Sequence, residues 1–179
     1  MADSINPIWS VLAGGGLTLA GSFAATWWAK RLERVHQERQ LARAIKGELS
    51  AMIHISSSRG YTTQLRNAIQ HMQATGQYVL IYATIEDSHS RIFRASLDKI
   101  GYLPGELPTE VSITYSQIAS VITDFNDLSK LAMDPELPGE RTSDALVRRY
   151  TAMIELADDA MERAAKIIAE IDRRYQTTD

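Results

Sequence analysis

The sequence predicts an all-α protein in which a single N-terminal transmembrane helix continues into a cytosolic antiparallel helical bundle. Three observations predict this class. Residues 8–29 form an uncharged run of 22 residues, most of the later chain repeats apolar residues at spacings of three and four, and only one short stretch resembles a strand. The length of 179 residues fits one such bundle together with its anchor.

Composition excludes several kinds of site. The chain has no cysteine, which rules out disulfides, thiolate nucleophiles and Cys-ligated metals. Its four histidines are far apart in sequence and form no ligand motif: His36, His54, His71 and His89. We therefore expect neither a metal site nor a cofactor, and no catalytic constellation identifies a reaction.

Residues 8–29 have the length of a membrane span, since 22 helical residues rise about 33 Å, close to the thickness of a bilayer core. Asn6 and Pro7 form a favourable helix start. Trp9 stands near one end of the run, and Trp27 and Trp28 stand near the other, where indole rings prefer the level of the lipid headgroups. We expect a transmembrane anchor at residues 1–29.

Basic residues follow this run directly, beginning with Lys30, Arg31 and Arg34. Basic residues stay on the cytoplasmic side, which predicts a bacterial inner-membrane protein with an outside N-terminus and a cytoplasmic C-terminal domain. A signal peptide would need a basic leader, and here the leader carries only Asp3. A buried core helix is the other alternative, and the glycine content disfavours it.

Small residues recur along one side of the predicted span. Gly14, Thr18, Gly21 and Ala25 follow one another at spacings of four, three and four, which places them on one helical face. Such a stripe allows transmembrane helices to approach closely and associate. We expect it to be the surface through which the protein forms a homo-oligomer in the bilayer.

Residues 30–58 are expected to extend the same helix as a basic stalk, because they contain no proline and only one glycine, Gly47. An apolar seam along this stretch is interrupted by Glu38; its members are Val35, Ala42, Ile45, Leu49, Met52 and Ser56. The seam is short, so we expect it to pack onto the body, or into a short stalk bundle in an oligomer. His54 is expected to pack within that bundle.

Residues 59–179 are predicted to form the cytosolic bundle. A kink at Arg59 and Gly60 precedes a second helix that ends at Gly76. Residues 78–83 (YVLIYA) are strand-like, and we expect extended chain packed on helices or a hairpin with a weakly signalled partner. A third helix is predicted from Asp87 or Ser88 through Ile100.

Residues 101–108 (GYLPGELP) are predicted to form a rigid loop whose Leu103 and Leu107 enter the core. A fourth helix follows, with a further loop at residues 134–140 and a last helix from residue 142. The apolar residues that should face the core of these two helices are Val111, Tyr115, Ile118, Ile122, Phe125, Leu128, Leu146, Met153, Ala157, Ala160, Ala164, Ile167 and Ile171.

Charged residues in this body are expected to lie at the surface. Asp158 and Asp159 point about 100° apart on a helix and do not form an acid–base pair. Asp124 and Asp127 share a face without further oxygen ligands nearby. The arginine pairs at residues 148–149 and 173–174 are expected to be surface residues or to form salt bridges.

One local pattern points to a known family. Residues 66–71 (RNAIQH) carry Arg66, Asn67 and His71, and this spacing resembles the R-polar-x-x-x-H motif of HEPN domains. The resemblance implies a helical fold and a metal-independent ribonuclease site shared between two protomers, in which histidine moves a proton and arginine holds the phosphate. The match covers six residues, and residues 31 and 36 repeat its outer spacing.

Size, one N-terminal span, helical content and this motif together resemble the CRISPR-associated membrane accessory proteins, which are oligomeric pore partners of an RNA-guided RNase in antiviral defence. The chain is also similar to uncharacterised single-pass bacterial proteins with a G-x-L-P loop before a tyrosine-bearing helix. The first resemblance implies an RNA-guided effector as a partner, and the second implies no function. With the predicted span, the expected partners are further copies of the chain, the bilayer, and an RNA-guided effector or another cytosolic protein.

Charge argues against direct DNA binding, since residues 47–179 hold 13 basic and 19 acidic residues. The leading expectation is therefore a non-enzymatic oligomeric scaffold or membrane pore. Small and hydroxyl-bearing residues such as Gly14, Thr18 and Ser22 would line such a pore. The alternatives are a membrane-tethered HEPN-like ribonuclease and a plain membrane adaptor for a cytosolic partner.

Overall fold

The computed structural model describes residues 7–83, 85, 90–134 and 141–175, and side chains from Gly21 onward. Within these ranges the chain is helical and contains no strand. The elements are α1 (Pro7–Arg59), α2 (Tyr61–Thr75), α3 (Arg91–Ala95), a 3₁₀ helix (Leu97–Tyr102), α4 (Leu107–Met133) and α5 (Ser143–Tyr175). The all-α prediction is confirmed for this part of the chain.

The chain divides into two compact units, Met1–Gln40 and Leu41–Asp179. The described part of the first unit consists of α1 residues alone. The second unit contains the end of α1 and all other elements, and it holds the hydrophobic core. The predicted divisions after residues 29 and 58 stay a prediction.

The core of the second unit is built on α4 and α5, whose opposite halves face each other. One buried cluster joins α1 to the start of α4 and the end of α5; its members on these helices include Ile45, Leu49, Val111, Tyr115, Ala164, Ile167 and Ile171. The other cluster joins α2 to the end of α4 and the start of α5, and includes Leu65, Met72, Phe125, Leu128, Leu146, Tyr150 and Met153. Helices α4 and α5 therefore run antiparallel, and α1 and α2 cover successive lengths of the pair.

Glycines in the left-handed conformation set the ends of α2. Gly60, with φ of 61°, separates α1 from α2, and its amide donates to Ser56 O at 3.1 Å. Gly76, with φ of 71°, ends α2 and donates to Met72 O at 2.9 Å. Other residues adopt this conformation only at a cost, so the predicted kink and stop are confirmed with their cause.

The predicted third helix is wrong in its extent. Its expected caps, Asp87 and Ser88, lie outside the described residues, and the chain forms the short α3 followed by the 3₁₀ helix. Phe93 and Ile100 pack into the core, whereas Ile92 and Leu97 are exposed. Without one continuous apolar face to bury, a helix of this length is marginal.

The predicted loop at residues 101–108 ends earlier than expected, because α4 already begins at Leu107 with a proline in its first turn. Leu103 and Leu107 are both buried, as predicted. Gly105 has φ of 61° and makes the turn between them. Residues 135–140 of the second predicted loop lie outside the described part.

Apolar spacing predicted the packed faces of the long helices well. Every expected core residue of α4 and α5 is buried except Ile122, which is half-buried. In α1, four seam residues are buried, Ala42, Ile45, Leu49 and Met52, so packing onto the body is confirmed. The other two seam residues are not buried: Val35 is exposed and Ser56 is half-buried. His54 is also exposed, on the face of α1 opposite Met52, so it does not pack into the body. Its packing in a stalk bundle of an oligomer stays a prediction.

Candidate functional site

The first candidate surface is the exposed segment of α1, which we define as residues 21–36. Every side chain in it is exposed. The exposed fractions reach 76% for Phe23, 58% for Trp28 and 64% for Leu32. Large apolar side chains exposed together mark contact with a membrane or another chain.

Two tryptophans and a cation form a small cluster within this segment. The Trp27 and Trp28 rings meet edge to face with centroids 5.9 Å apart. The Arg31 guanidinium lies 5.4 Å from the centre of the Trp27 ring, in a cation–π contact. Lys30 and Arg34 are exposed beside them. Indoles next to cations are typical of the polar boundary of a bilayer.

The predicted small-residue stripe is partly described. Gly21 and Ala25 are exposed, and the side chains of Gly14, Thr18 and Trp9 lie outside the described residues. A Cβ added to Gly21 meets no atom within 4 Å. Because nothing in the described chain packs against Gly21, a larger side chain there leaves the chain's own fold unstrained. Among the described residues, no helix combines the length and apolarity needed to cross a membrane.

The motif at residues 66–71 lies on α2 with all three of its singled-out side chains exposed. Arg66 Nη2 lies 2.6 Å from Asp158 Oδ2 of α5, and each side chain is about half exposed. His71 O accepts a hydrogen bond from Thr75 Oγ1 at 2.8 Å. Five residues along a helix turn the chain by about 140°, so Arg66 and His71 do not share a face of α2. A ribonuclease site at Arg66, Asn67 and His71 would need a second protomer, and it stays a prediction.

The two adjacent aspartates of α5 serve different partners. Asp159 Oδ2 accepts from Gln117 Nε2 at 2.5 Å and from Arg163 Nε at 2.9 Å, while Asp158 binds Arg66. These bonds from Arg163 and Gln117 lower the pKa of Asp159. Arg163 Nη1 also reaches Glu110 Oε2 of α4 at 3.1 Å. Both carboxylates make salt bridges, which is consistent with the expected surface role.

The other charged pairs also behave as expected. Asp124 binds Arg149 at 3.3 Å and Asp127 binds Lys130 at 2.8 Å, so neither carboxylate is placed to share a cation with the other. Glu170 binds both Arg173 and Arg174. Among the described residues, no three His, Asp or Glu side chains gather as a metal site would require.

Glu48 of α1 makes polar contacts that no pattern in the sequence predicts. Its Oε1 accepts from Ile92 N at 2.8 Å, and its Oε2 accepts from Phe93 N at 3.0 Å and from Tyr115 Oη at 2.6 Å. Burial and the adjacent Glu48 raise the pKa of Tyr115, which stays protonated and donates. The Phe93 ring stacks on Tyr115 with centroids 4.1 Å apart. The contact joins α1, α3 and α4 and is structural.

The strand-like run at residues 78–83 is extended chain packed on helices, so the first of its two predicted alternatives is confirmed. Side chains of α4 and α5 bind its backbone. Tyr150 Oη donates to Val79 O at 2.8 Å and accepts from Ile81 N at 3.2 Å. Ser129 Oγ accepts from Ala83 N at 2.9 Å and lies 2.8 Å from Ala83 O.

The same pattern continues at Ile85, which exchanges two hydrogen bonds with the Asn126 side-chain amide, at 3.0 Å and 3.1 Å. Tyr150, Ser129 and Asn126 therefore take the place of a neighbouring strand. No spacing rule in the sequence links these polar side chains to a backbone 41 to 71 positions away. The sequence pattern therefore does not predict these hydrogen bonds.

A small apolar cavity of about 70 Å³ lies where α1 breaks at Gly60, between the two core clusters. Its lining includes Met52, Tyr61, Phe125 and Met161, and its surface is almost wholly apolar. This volume suits no substrate-sized molecule, and the lining has no acid–base pair.

No family model matches the chain, and neither the curated proteins nor the solved structures contain a significant match.

Proposed function

We propose that this protein is a single-pass membrane protein that self-associates through its N-terminal helix and holds its helical body at the cytoplasmic face as a scaffold. The observation that carries the proposal is the exposed segment of α1. Phe23, Trp27, Trp28 and Leu32 are exposed there and belong to no core cluster of the described residues. Large apolar side chains that are exposed together need lipid or another protein around them.

Sequence features outside the described side chains support the same proposal. Residues 8–29 carry no charge, and six basic residues against two acidic ones follow in residues 30–46. By the positive-inside rule, this asymmetry supports a cytoplasmic body. The cluster of Trp27, Trp28 and Arg31 then lies at the headgroup level of the inner leaflet.

The body favours a scaffold over an enzyme. Many of its described carboxylates make salt bridges, Glu48 binds backbone amides, and the apolar cavity near Gly60 is lined by no acid–base pair. The surface of α4 forms an open groove lined by serines rather than an enclosed pocket, and Ser112 and Ser120 donate to their own helix backbone. Such a surface suits binding to another protein more than turnover of a substrate.

Membrane insertion is tested by placing the same charge inside and outside the span. Leu19→Arg puts a cation at the middle of residues 8–29, where the cost is about 2.5–3.5 kcal/mol, whereas Gln40→Arg adds it at an exposed position of the same helix. After alkaline carbonate extraction of membranes, the natural chain and the Gln40→Arg variant should stay in the pellet, and Leu19→Arg should be released. Release of the natural chain would contradict insertion.

Self-association is tested with two glycines of α1 that are alike in their surroundings. A Cβ meets no atom within 4 Å at either Gly21 or Gly47, so isoleucine fits both positions without a clash. Gly21→Ile should lower the oligomer fraction in membranes because it roughens the helix interface, and Gly47→Ile should not. Equal oligomer fractions in the two variants, measured by crosslinking, would remove the stripe from the proposal.

A further inference from the structure

The extended run at residues 78–83 has two edges, and the described residues of the chain bind only one of them. Its odd-numbered residues turn their backbone groups toward the helices, where Val79 and Ile81 bind Tyr150 and Ala83 binds Ser129. In an extended chain, the backbone groups of successive residues point to opposite sides. The backbone groups of Tyr78, Leu80 and Tyr82 therefore point away from the helices.

This outer edge is open within the described part of the chain. The backbones of Leu80 and Tyr82 make no hydrogen bond to another described residue. The side chains of Tyr78 and Tyr82 are 53% and 63% exposed. Open edges are usually protected by charge, proline or a bulge, and residues 77–85 contain neither a charged residue nor a proline. An unprotected edge rich in strand-forming residues favours pairing with another strand.

We propose that the outer edge of residues 78–83 pairs antiparallel with the same run of a second copy, about a two-fold axis at Leu80. Leu80 then exchanges both backbone hydrogen bonds with Leu80 of the other copy, and Tyr78 does so with Tyr82. The inference rests on the self-association in the proposed function, and it names a second contact between the copies, in the body.

A second copy fits this edge better than a strand of different sequence for two reasons. The free backbone groups are symmetric about Leu80, so a two-fold axis there satisfies those of Tyr78, Leu80 and Tyr82 together. Charge also agrees, because a copy brings no charged residue into the pairing and sets an exposed tyrosine beside an exposed tyrosine. Cross-strand aromatic pairs are favourable in antiparallel sheets.

The contact area indicates that this pairing does not act alone. A strand pair of five residues on each side buries far less than the roughly 1,200–2,000 Å² of a stable interface. Copies joined through α1 in one membrane meet at a high effective concentration, which makes a weak second contact effective. The test therefore uses the full chain in membranes.

Cysteine crosslinking reads the register directly, because the chain has no cysteine of its own. Leu80→Cys places two sulfurs at directly opposed positions, where a disulfide forms under mild oxidation. Tyr82→Cys alone leaves the two cysteines about 13 Å apart along the strands and should not crosslink, although Tyr82 is well exposed. Coexpressed Tyr78→Cys and Tyr82→Cys chains should crosslink to each other. We expect the Leu80→Cys and mixed pairs to react at least roughly tenfold faster than Tyr82→Cys alone.

Backbone pairing is tested separately by adding Tyr82→Pro to the chain that carries Leu80→Cys. Proline removes an outer amide while the inner bonds to Tyr150 and Ser129 remain available. Tyr82→Pro should cut Leu80→Cys crosslinking at least roughly tenfold, and Tyr82→Ala, which keeps the amide, should cut it far less. Equal crosslinking in the two would overturn the pairing. Circular dichroism checks that both variants keep the helical content.

The outcomes separate this inference from the proposed function. If the membrane oligomer forms and responds to Gly21→Ile, but neither Leu80→Cys nor the mixed pair crosslinks, the strand pairing is overturned and the scaffold stands. Crosslinking of Leu80→Cys to a protein of different mass would assign the edge to a foreign strand and also overturn the inference. A monomeric chain in membranes would overturn both.

Discussion

Two stretches of the same helix α1 differ in whether their apolar side chains are buried. Residues 21–36 expose every side chain, although they include Phe23, Trp28 and Leu32. Residues 41–52 contain basic and acidic side chains, and yet they bury five apolar ones, Leu41, Ala42, Ile45, Leu49 and Met52. The difference is arrangement rather than apolar content, because only the later stretch confines its apolar residues to one face.

The apolar character of a helix and its burial in the chain's own core are therefore separate properties. A one-sided seam at spacings of three and four matches the α4–α5 pair. Residues 21–29 expose Phe23, Trp27 and Trp28 without a buried seam, and the proposed function accounts for them by contact with lipid or with another copy.

The largest difference is expected between two truncations on α1. Ile45→Ala removes a fully buried side chain and should lower the free energy of unfolding by about 2–5 kcal/mol. Leu32→Ala removes a side chain that is 64% exposed and should change it by less than about 0.5 kcal/mol. Urea titration of the full chain in detergent, followed by circular dichroism, measures both. Similar losses of unfolding free energy in the two variants would contradict the different roles of these two stretches of α1.

Two glutamates of α1 give the next test. Glu48→Ala leaves the amides of Ile92 and Phe93 and the Tyr115 hydroxyl without their acceptor, which should cost about 2–3 kcal/mol. Glu33→Ala loses one exposed bond from Gln37 and should cost less than about 0.5 kcal/mol. The same urea titration applies. An unchanged free energy of unfolding in Glu48→Ala would show that this carboxylate does not hold α3 in place.

The exposed glycines provide a smaller effect of opposite sign. Gly47→Ala lies in the stretch that belongs to the cooperative body and should stabilise it by about 0.5–1 kcal/mol, since alanine favours the helix. Gly21→Ala should leave the unfolding of the body unchanged, because residues 1–40 form a separate unit. Thermal unfolding of the two variants measures this, and an equal rise for Gly21→Ala would argue that the units unfold together.

The smallest effect concerns pH. Bonds from Arg173 and Arg174 lower the pKa of Glu170 from 4.5 to about 2. A carboxylate with a lowered folded pKa contributes stability above its unfolded pKa, and that contribution is lost as the pH falls from about 4.5 toward 2. Glu170→Gln should make stability slightly less dependent on pH across this window. Unfolding midpoints at pH 5 to 2 measure it; an unchanged slope would mean that these exposed ion pairs contribute nothing.

The sequence predicted the features that depend on residues close together in the chain. Core positions such as Leu128, Ile167 and Ile171 follow from local spacing, and the stops at Gly60 and Gly76 follow from backbone conformation. Both signals lie within a few residues of the element that they define.

Contacts between distant positions left no such signal. The acceptor role of Glu48, the support of residues 78–85 by Tyr150 and Asn126, and the division of the third helix depend on which helices meet. For the candidate site, the exposed tryptophans and cations of α1 were predicted, whereas the open edge at Leu80 required the structure. The association surface at Gly14 and Thr18 and the motif at residues 66–71 stay predictions.

The central claim is that the N-terminal helix lies in lipid, and the tryptophans report on it directly. All three tryptophans of the chain, Trp9, Trp27 and Trp28, belong to α1. In vesicles whose lipids carry bromine near the headgroup end of the acyl chains, most of the tryptophan fluorescence should be quenched. Fluorescence equal to that in vesicles without bromine would contradict the membrane placement of this helix.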